Sequence, residues 1–291
     1  MKKINIFCFG FGQVAKNFIK KINTEKFSIN LSVTTREQSK AKQFNEIKYN
    51  NFIFNDEIFD NGLIENLKNS DHILISIPPI NGKDIVIKYF EEVIKECNPK
   101  WITYLSATSV YGDHKGEWVN EESETNPKST SGIGRLEAEK SWITFTANSK
   151  LPFQIFRLSG IYSNQKNILA RLKSGNVNLI NKKNQFFSRI HVEDIANVLF
   201  KSLSNFKTGE IYNISDDKPA SMEEVTLYGV KLLNVDIPKI IEVKDIDSEM
   251  LKSFYKDSKK VSNKKMKSFF DYQLKFPTYV EGLNYIRNNL V

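Results

Sequence analysis

The sequence predicts an α/β protein built on a doubly wound parallel sheet, with a smaller mixed lobe in its carboxyl-terminal half. Through the first 160 residues, short apolar runs with strand character alternate with amphipathic runs at helical spacing. That alternation is typical of parallel strands joined by helices. The run at 72–77 (HILISI) is apolar almost without interruption, as expected of a central strand that is buried on both faces.

The chain begins with a strand–turn–helix pattern. Apolar residues dominate 4–9, residues 10–15 spell Gly-Phe-Gly-Gln-Val-Ala, and apolar residues then recur at helical spacing. In this setting a G-x-G-x-x-A pattern is a dinucleotide-binding fingerprint. Gly10 permits a tight turn, Gly12 lets the backbone approach a pyrophosphate, and Ala15 lets the helix pack on the strand. The phosphates would lie on the N–H groups of the helix N-terminus, where the helix dipole favours negative charge. An ordinary strand–turn–helix without a ligand is the alternative.

The remaining elements of the first half follow from the same patterns. Strands are predicted at 29–34, 52–54, 72–77, 101–105 and 153–158, and helices at 36–45, 58–67, 85–94 and from Pro127 to about 147. Pro78 and Pro79 end the strand at 72–77. A parallel, doubly wound sheet satisfies this order, and its fold class is that of the Rossmann-type proteins.

Beyond residue 160 the alternation becomes less regular. Helices are predicted at 169–173, 192–203, 222–233, 250–255 and 283–288, and a strand at 210–214. We interpret 1–160 as a dinucleotide-binding domain and 161–291 as a small substrate lobe at the carboxyl ends of the strands, where ligands bind in open α/β folds. No Gly/Ser linker separates the halves, so we expect the lobe to pack on the first domain as one compact unit.

Composition excludes several classes of protein. The 291 residues carry a net charge of +8, but the lysines are scattered, and no basic run with interleaved aromatic residues is present. A solvated Lys/Asn-rich surface is therefore preferred over nucleic-acid binding. No run is long enough to span a membrane, and the first apolar run is too short for a signal peptide. Two cysteines without metal-ligand spacing favour a reducing cytoplasm, and no residue cluster has the spacing of a metal site.

The end of the second predicted strand bears on the choice between NAD and NADP. An acidic residue there accepts a hydrogen bond from the ribose 2′-hydroxyl, whereas an arginine accommodates a 2′-phosphate. The strand ends in Thr34, Thr35 and Arg36, with no carboxylate before Glu37. Two hydroxyls and a planar guanidinium suit a phosphate. The sequence therefore favours NADP over NAD, unless Arg36 only starts a helix.

The residues expected to contact the dinucleotide lie in the glycine turn and at strand ends: Gly10, Phe11, Gly12, Gln13, Val14, Thr34, Thr35, Arg36, Ile77, Pro78 and Ser106.

Several motifs together resemble the extended short-chain dehydrogenases/reductases, the NAD-dependent epimerase/dehydratase group. Residues 104–113 (YLSATSVYGD) resemble the segment after a central strand of that family. Residues 157–162 (RLSGIY), 189–196 (RIHVEDIA) and 209–214 (GEIYNI) are similar to later motifs in the same order. Residues 262–264 and 276–279 resemble the end of an atypical, YeeZ-like branch. The resemblance covers essentially the whole chain and implies a Rossmann domain, a substrate lobe and a bound nicotinamide dinucleotide.

The chain departs from that family at the catalytic positions. Active members use a Ser/Thr together with a Tyr and a Lys in Y-x-x-x-K, which share one helix face. The tyrosine phenol is the general acid or base, and the ammonium lowers its pKa. Alignment places Ala107 at the Ser/Thr position, Ser131 at the tyrosine and Arg135 at the lysine. An arginine keeps the charge but does not deprotonate, and a serine is a much poorer proton donor.

We retain Thr108, Ser131 and Arg135 as the catalytic-region candidates, with Thr108 as a hydroxyl for a substrate oxygen. Tyr111 and His191 are interpreted as structural. One hypothesis is an atypical NADP-dependent oxidoreductase or epimerase that acts on a small polar metabolite, sugar- or nucleotide-linked. The other is an NADP(H)-binding regulator or sensor that has lost catalysis. The resemblance leaves a homodimer open, through the helix that follows Pro127.

Overall fold

The structure is a computed structural model that describes residues 3–37, 43–180 and 182–289. The chain divides into two compact units, each built from three segments. Unit 1 combines Met1–Ala107, Thr130–Arg157 and Ile195–Tyr212, and unit 2 combines Thr108–Ser129, Leu158–Asp194 and Asn213–Val291. The division of the chain at residue 160 stays a prediction.

Strands and helices are numbered separately in chain order. The strands are β1 (Lys3–Phe9), β2 (Ser28–Thr35), β3 (Gln43–Phe44), β4 (Ile47–Ile53), β5 (His72–Ile75), β6 (Trp101–Ala107), β7 (Trp118–Val119), β8 (Phe153–Leu158), β9 (Gly160–Tyr162), β10 (Leu179–Ile180), β11 (Arg189–His191), β12 (Glu210–Ile214), β13 (Ile240–Ile241) and β14 (Lys260–Val261). The helices are α1 (Gln13–Thr24), α2 (Gly62–Lys68), α3 (Ile85–Cys97), α4 (Thr130–Asn148), α5 (Ile168–Lys173), α6 (Val192–Ser202), α7 (Met222–Leu233), α8 (Glu249–Phe254), α9 (Lys264–Phe270) and α10 (Tyr279–Asn288). Short 3-10 helices occupy Thr108–Tyr111 and Val243–Asp245.

The main sheet has the strand order of a doubly wound fold. Within the described residues, eight strands lie in the order β12-β8-β6-β5-β1-β2-β4-β3. Strand β1 pairs in parallel with β2 and β5, and β2–β4 and β5–β6 are also parallel. After β1, the chain forms β2, β3 and β4 on one side of β1. It then crosses to the other side of β1, where it forms β5, β6, β8 and β12. The strand order therefore reverses between β1 and β5, which is where ligands bind in such sheets. The predicted fold class, an α/β Rossmann-type sheet, is confirmed.

Helices of unit 1 cover both faces of this sheet because alternate side chains of each strand point to opposite faces. Ile102 and Tyr104 of β6 belong to the apolar cluster that includes residues of α2, α3 and α4. The neighbouring Trp101 stacks instead on Phe18 of α1, with ring centroids 5.9 Å apart. Strand β5 is buried at all four positions, as its apolar run predicted.

The predicted helix at 36–45 is wrong where the structure describes it. Gln43–Phe44 forms β3, which turns back to pair antiparallel with β4. The turn between them has positive φ at Asn45 (45°) and Glu46 (65°), a conformation that asparagine adopts more readily than most residues. Residues 38–42 of that predicted helix lie outside the described residues.

Several elements of unit 2 were not predicted. These are α9 and the short parallel pairs β9–β11, β10–β13 and β7–β14. Strands of two or three residues are too short to carry a periodic pattern, so the sequence offers no signal for them. The apolar core of this unit is built mainly from α5, α7 and α10. Gly282 in α10 admits the Tyr162 side chain, because a Cβ there would lie 2.1 Å from its hydroxyl oxygen.

A buried ion pair fastens α4 to β8 within unit 1. Arg157 Nη2 lies 2.7 Å from Glu139 Oε2, and Arg157 Nε donates to both carboxylate oxygens at 3.1 and 3.2 Å. Their side chains are only 5% and 1% exposed, respectively. The pair is stabilised by several well-aligned, charge-assisted hydrogen bonds. Removal of one partner would leave the other charge unpaired in the protein interior.

We predict that Glu139→Ala lowers the free energy of unfolding by about 3–5 kcal/mol, because it leaves the buried Arg157 guanidinium without a negatively charged partner. The matched control is Glu137→Ala on the same helix, whose exposed pair with Lys140 should contribute at most about 1 kcal/mol. Urea unfolding curves measure both. A double variant, Glu139→Leu with Arg157→Met, should recover part of the loss. Equal effects of the two single alanine variants would contradict a structural role for the buried pair.

Candidate functional site

The glycine turn after β1 is fastened to the two strands that flank β1. Gly10 has φ +89°, and a Cβ there would lie 2.7 Å from Ile77 Cγ2. Its N–H donates to Thr34 Oγ1 at 2.8 Å. Thr34 lies near the end of β2, and Ile77 follows the end of β5. The turn therefore lies at the carboxyl ends of all three strands, at the point where the strand order reverses.

Gly12 leaves open space at the N-terminus of α1. Its backbone is extended (φ −81°, ψ −169°), and a Cβ there would meet no atom within 4 Å of the described structure. No described side chain caps this twelve-residue helix, and its first turn carries no acidic residue. The first N–H groups of a helix are not used by the helix itself, and its dipole attracts negative charge. The turn and helix end fit the pyrophosphate of a dinucleotide.

The end of β2 uses its two hydroxyls to hold the backbone. Thr34 is buried, with its Oγ1 accepting from Gly10. Thr35 Oγ1 donates to the carbonyl of Glu37 at 2.7 Å and lies 3.1 Å from Asn51 Oδ1. Arg36 is exposed. Of the three residues predicted to meet a 2′-phosphate, Arg36 is the one whose side chain faces solvent.

The other residues predicted to contact the dinucleotide lie at the carboxyl ends of strands of unit 1 or in the first turn of α1. Ile77 packs against Gly10, and Pro78 is exposed. Ser106, near the end of β6, is 2% exposed, and its Oγ has no hydrogen-bond partner among the described residues. Val14 is buried on the sheet side of α1, and Gln13 precedes it at the start of the helix.

Arg135 in α4 reaches the end of β6. Its Nη1 donates to the carbonyl oxygen of Leu105 at 2.6 Å. Ser131, one helical turn earlier, is exposed. Burial raises the pKa of Tyr104 and of Asp84, and the Arg135 guanidinium opposes the increase for both. Arg135 is therefore a fixed cation beside the last residues of β6.

The Asp84 carboxylate, whose pKa Arg135 affects, is hydrogen-bonded to Trp142. The sequence interpretation missed both residues. Asp84 Oδ1 caps α3 by accepting from the N–H groups of Val86 and Ile87, and Oδ2 accepts from Trp142 Nε1 at 2.9 Å. An aspartate directly before an apolar-periodic run is an N-cap signal, so Asp84 was detectable. Its contact with Trp142 had no signal in the sequence.

Thr108 belongs to unit 2, where it starts the 3-10 helix Thr108–Tyr111. At the end of this helix the buried Tyr111 hydroxyl donates to Asn213 Oδ1 at 2.7 Å. Asn213 N–H in turn donates to Glu121 Oε1 at 2.7 Å. These contacts fit the structural role expected for Tyr111.

His191 and Asp194 also hold unit 2 together. His191 is fully buried, with its ring centroid 4.2 Å from that of Phe276, and burial lowers its pKa to about 4. The Asp194 carboxylate accepts from the hydroxyl of Tyr272 at 2.6 Å and from two backbone N–H groups, those of Lys275 and Phe276. The expected structural role of the motif at 189–196 fits this geometry.

Among the described residues, no group of three or more His, Cys, Asp or Glu side chains is arranged to hold a metal ion. Across the same residues, no helix is both long and apolar enough to cross a membrane.

Comparisons with known proteins place these observations in a family. Residues 89–215 match the model of the NAD dependent epimerase/dehydratase family. A functionally unknown conserved protein from Silicibacter pomeroyi is 30% identical, with a TM-score of 0.88 over 98% of this chain and 99% of that chain. The chain belongs to the NAD-dependent epimerase/dehydratase family.

More distant members of the epimerase/dehydratase family share the fold. UDP-glucuronic acid 4-epimerase from Bacillus cereus, solved in complex with NAD, is 15% identical with a TM-score of 0.76 over 98% of this chain and 99% of that chain. dTDP-glucose 4,6-dehydratase from Bacillus anthracis, also in complex with NAD, is 19% identical with a TM-score of 0.76 over 98% and 96%. A sequence comparison with curated proteins gives no match. The YeeZ-like branch stays a prediction.

This chain has the NAD-binding fold of the epimerase/dehydratase family, and the predicted departure at its catalytic positions stays a prediction. Ser131 and Arg135 lie on α4 of unit 1, and Thr108 lies in unit 2. In unit 1 the structure brings Arg135 to the main chain of β6. Their roles in catalysis stay predictions.

The two glycines of the turn should respond differently to alanine. Gly10→Ala forces a side chain into positive φ and against Ile77, so we expect the free energy of unfolding to fall by about 2 kcal/mol or more. Gly12→Ala enters open space at negative φ and should change it by less than about 1 kcal/mol. Thermal and urea unfolding measure both. Similar destabilisation by the two variants would show that the space above Gly12 is not open.

Proposed function

We propose that unit 1 binds a nicotinamide dinucleotide with its pyrophosphate on the N-terminus of α1. The observation that carries this proposal is the glycine turn: Gly10 is locked by Thr34 and Ile77, while Gly12 faces open space beside an uncapped helix end. The NAD complexes of distant relatives support the same assignment. The Ser106 hydroxyl, which is buried without a hydrogen-bond partner among the described residues, is a further group to which the dinucleotide would hydrogen-bond.

NADP is the preferred form of the cofactor in this proposal. Arg36 is exposed at the end of β2, where a 2′-phosphate would be placed. A 2′-hydroxyl needs an acidic acceptor at this strand end, and none precedes Glu37. Thr34 Oγ1 already accepts a hydrogen bond from the Gly10 N–H, and the Thr35 hydroxyl already donates to the Glu37 carbonyl. NAD is the alternative.

We propose an atypical oxidoreductase or epimerase that acts on a small polar metabolite, sugar- or nucleotide-linked. The names of the relatives, a UDP-sugar epimerase and a dTDP-sugar dehydratase, support that substrate class. When bound, the dinucleotide would supply hydride transfer. Arg135 would hold a positive charge at the end of β6, since a guanidinium stays protonated. Ser131 would offer its hydroxyl to a substrate oxygen, and Thr108 stays a candidate hydroxyl of unit 2.

The same family membership is compatible with a second candidate, an NADP(H)-binding regulator or sensor without catalysis. The observation that favours this candidate is the hydrogen bond that Arg135 donates to the Leu105 carbonyl. Ser131, one helical turn before Arg135, has an aliphatic hydroxyl where a tyrosine would have a phenol. An aliphatic hydroxyl is too weak an acid to replace a phenol as the general acid near neutral pH.

Two further proposals concern location and assembly. Both cysteines are free, which supports a reducing cytoplasm. Ile133 and Ile143 on α4 are 47% and 43% exposed, which supports a homodimer through this helix.

Titration of the purified protein with NADPH and NADH tests the proposed function. We expect NADPH to bind more tightly, and Arg36→Ala to weaken NADPH by roughly tenfold with little effect on NADH, because a charge-assisted contact is lost. Lys48→Ala on β4 is the control for the loss of one exposed positive charge. Intrinsic fluorescence and thermal shift both report binding. Absence of binding by either dinucleotide would overturn the proposed function, and unchanged NADPH affinity in Arg36→Ala would overturn the role of Arg36.

Restoration of the family's catalytic residues separates enzyme from regulator. The variant carries Ala107→Ser, Ser131→Tyr and Arg135→Lys, and retained NADPH binding shows that it is folded. We expect the wild-type protein to act on at least one member of a panel of sugar nucleotides and small carbonyl compounds, and the variant to add little. Net oxidoreduction is measured as a change in NADPH absorbance, and redox-neutral epimerisation as a new product in the NMR spectrum of the substrate. A silent wild type and an active variant would instead support the regulator.

A further inference from the structure

Lys16 of α1 occupies a defined position beside the glycine turn. Its Nζ lies 5.7 Å from the centroid of Phe11, the residue between Gly10 and Gly12, and 5.9 Å from the centroid of Phe44. The two rings meet edge to face, with centroids 5.6 Å apart. An ammonium within about 6 Å of an aromatic centroid is attracted by the ring. The side chain is thus directed toward the turn, although Lys16 is exposed.

The hairpin β3–β4 supplies the second ring. Phe44 ends β3, and the positive φ angles of Asn45 and Glu46 turn the chain back into β4. Tyr49 of β4 also contacts Phe11, at 5.2 Å between ring centroids. Phe11 thus contacts both Phe44 and Tyr49, and we call these three residues the ring cluster. Two of its rings, Phe11 and Phe44, lie within about 6 Å of the Lys16 ammonium. A helix at 43–45 would not present Phe44 in this way.

The ammonium of Lys16 has no carboxylate partner among the described residues, in contrast to Lys21 on the same helix, which pairs with Glu25. The first turn of α1 has no acidic side chain. Phe11 directly follows Gly10, and Arg36 lies two residues after Thr34, to which Gly10 is hydrogen-bonded. Two positive side chains and the positive end of a helix dipole thus lie near the carboxyl ends of β1 and β2.

We infer that Lys16 is a second cation for the 2′-phosphate of NADP, acting with Arg36, and that the ring cluster positions it. The inference rests on the proposed function and deepens it. Attraction to a ring face leaves the N–H donors of the ammonium able to turn toward phosphate oxygens. A 2′-phosphate carries nearly two negative charges near neutral pH, so a single arginine leaves part of that charge unbalanced. Lys16 would therefore discriminate NADP from NAD without contact to the nicotinamide.

The test uses adenosine 2′,5′-bisphosphate and 5′-ADP, which differ in where the second phosphate is attached, together with NADPH and NADH. The variant is Lys16→Gln, which keeps most of the stem and removes the charge. Lys20→Gln, one turn later on the same helix and also exposed, is the matched control. We expect Lys16→Gln to weaken NADPH and the 2′,5′-bisphosphate by about five- to tenfold, with 5′-ADP and NADH changed less than about twofold. Isothermal titration calorimetry measures all four ligands.

Phe44→Leu tests the positioning role of the ring cluster. It removes one ring but keeps an apolar side chain on β3, so we expect a smaller loss with the same selectivity for the 2′-phosphate. Equal weakening of all four ligands by Lys16→Gln, or the same effect in Lys20→Gln, would overturn the inference and leave dinucleotide binding intact. Failure of the wild type to bind any of the four ligands would overturn the proposed function, and the inference with it.

Discussion

The hydrogen bond from Gly10 N–H to Thr34 Oγ1 is the constraint on which the candidate site depends. It joins the end of β1 to the end of β2, and the missing side chain of Gly10 lets Ile77 close in from the end of β5. A left-handed backbone angle at this point is what redirects the chain into α1. The direction of α1, and so the direction of its uncapped N-terminus, follows from this one turn.

The open space at Gly12 is a consequence of the same geometry. A sequence motif alone does not distinguish a turn that binds phosphates from a turn that only packs. Here the two glycines differ in a way that the motif does not reveal: a Cβ at Gly10 would collide with neighbouring atoms, and a Cβ at Gly12 would not. Packing explains the first glycine. The second has no packing reason within the described structure, and the close approach of a dinucleotide that we propose would account for it.

The sequence was sufficient for the strands and helices that carry strong patterns, and for the place of the glycine turn. It predicted β1, α1 and the buried strand β5, because apolar periodicity and glycine position are local signals. It failed at β3 and the turn that follows, where positive φ at Asn45 and Glu46 reverses the chain within a region of helical spacing. The hydrogen bond from Gly10 N–H to Thr34 Oγ1 also had no signal in the sequence, because it joins residues 24 positions apart. The predicted contact of Thr34 with a phosphate stays a prediction.

Helix α4 shows why the altered catalytic positions cannot be understood from alignment alone. Arg135, Glu139 and Trp142 follow one another at spacings of four and three, so they share one face of the helix. Each makes a polar contact inside unit 1: with the Leu105 carbonyl, with Arg157 and with Asp84. The helix is thus held to the sheet by polar contacts of fixed geometry as well as by apolar packing. Ser131 lies one turn before Arg135, at the end of the same face.

This arrangement limits the chemistry that the helix can perform. A lysine at position 135 would carry its charge as a compact ammonium on a flexible stem, with donors that are free to rotate. The guanidinium instead is held by a main-chain oxygen and stays charged at every working pH, so its effect on the site is electrostatic and constant. Any proton that a reaction requires must therefore come from a group other than residue 135. The catalytic question for this chain becomes which titratable group supplies or accepts that proton when a substrate is bound.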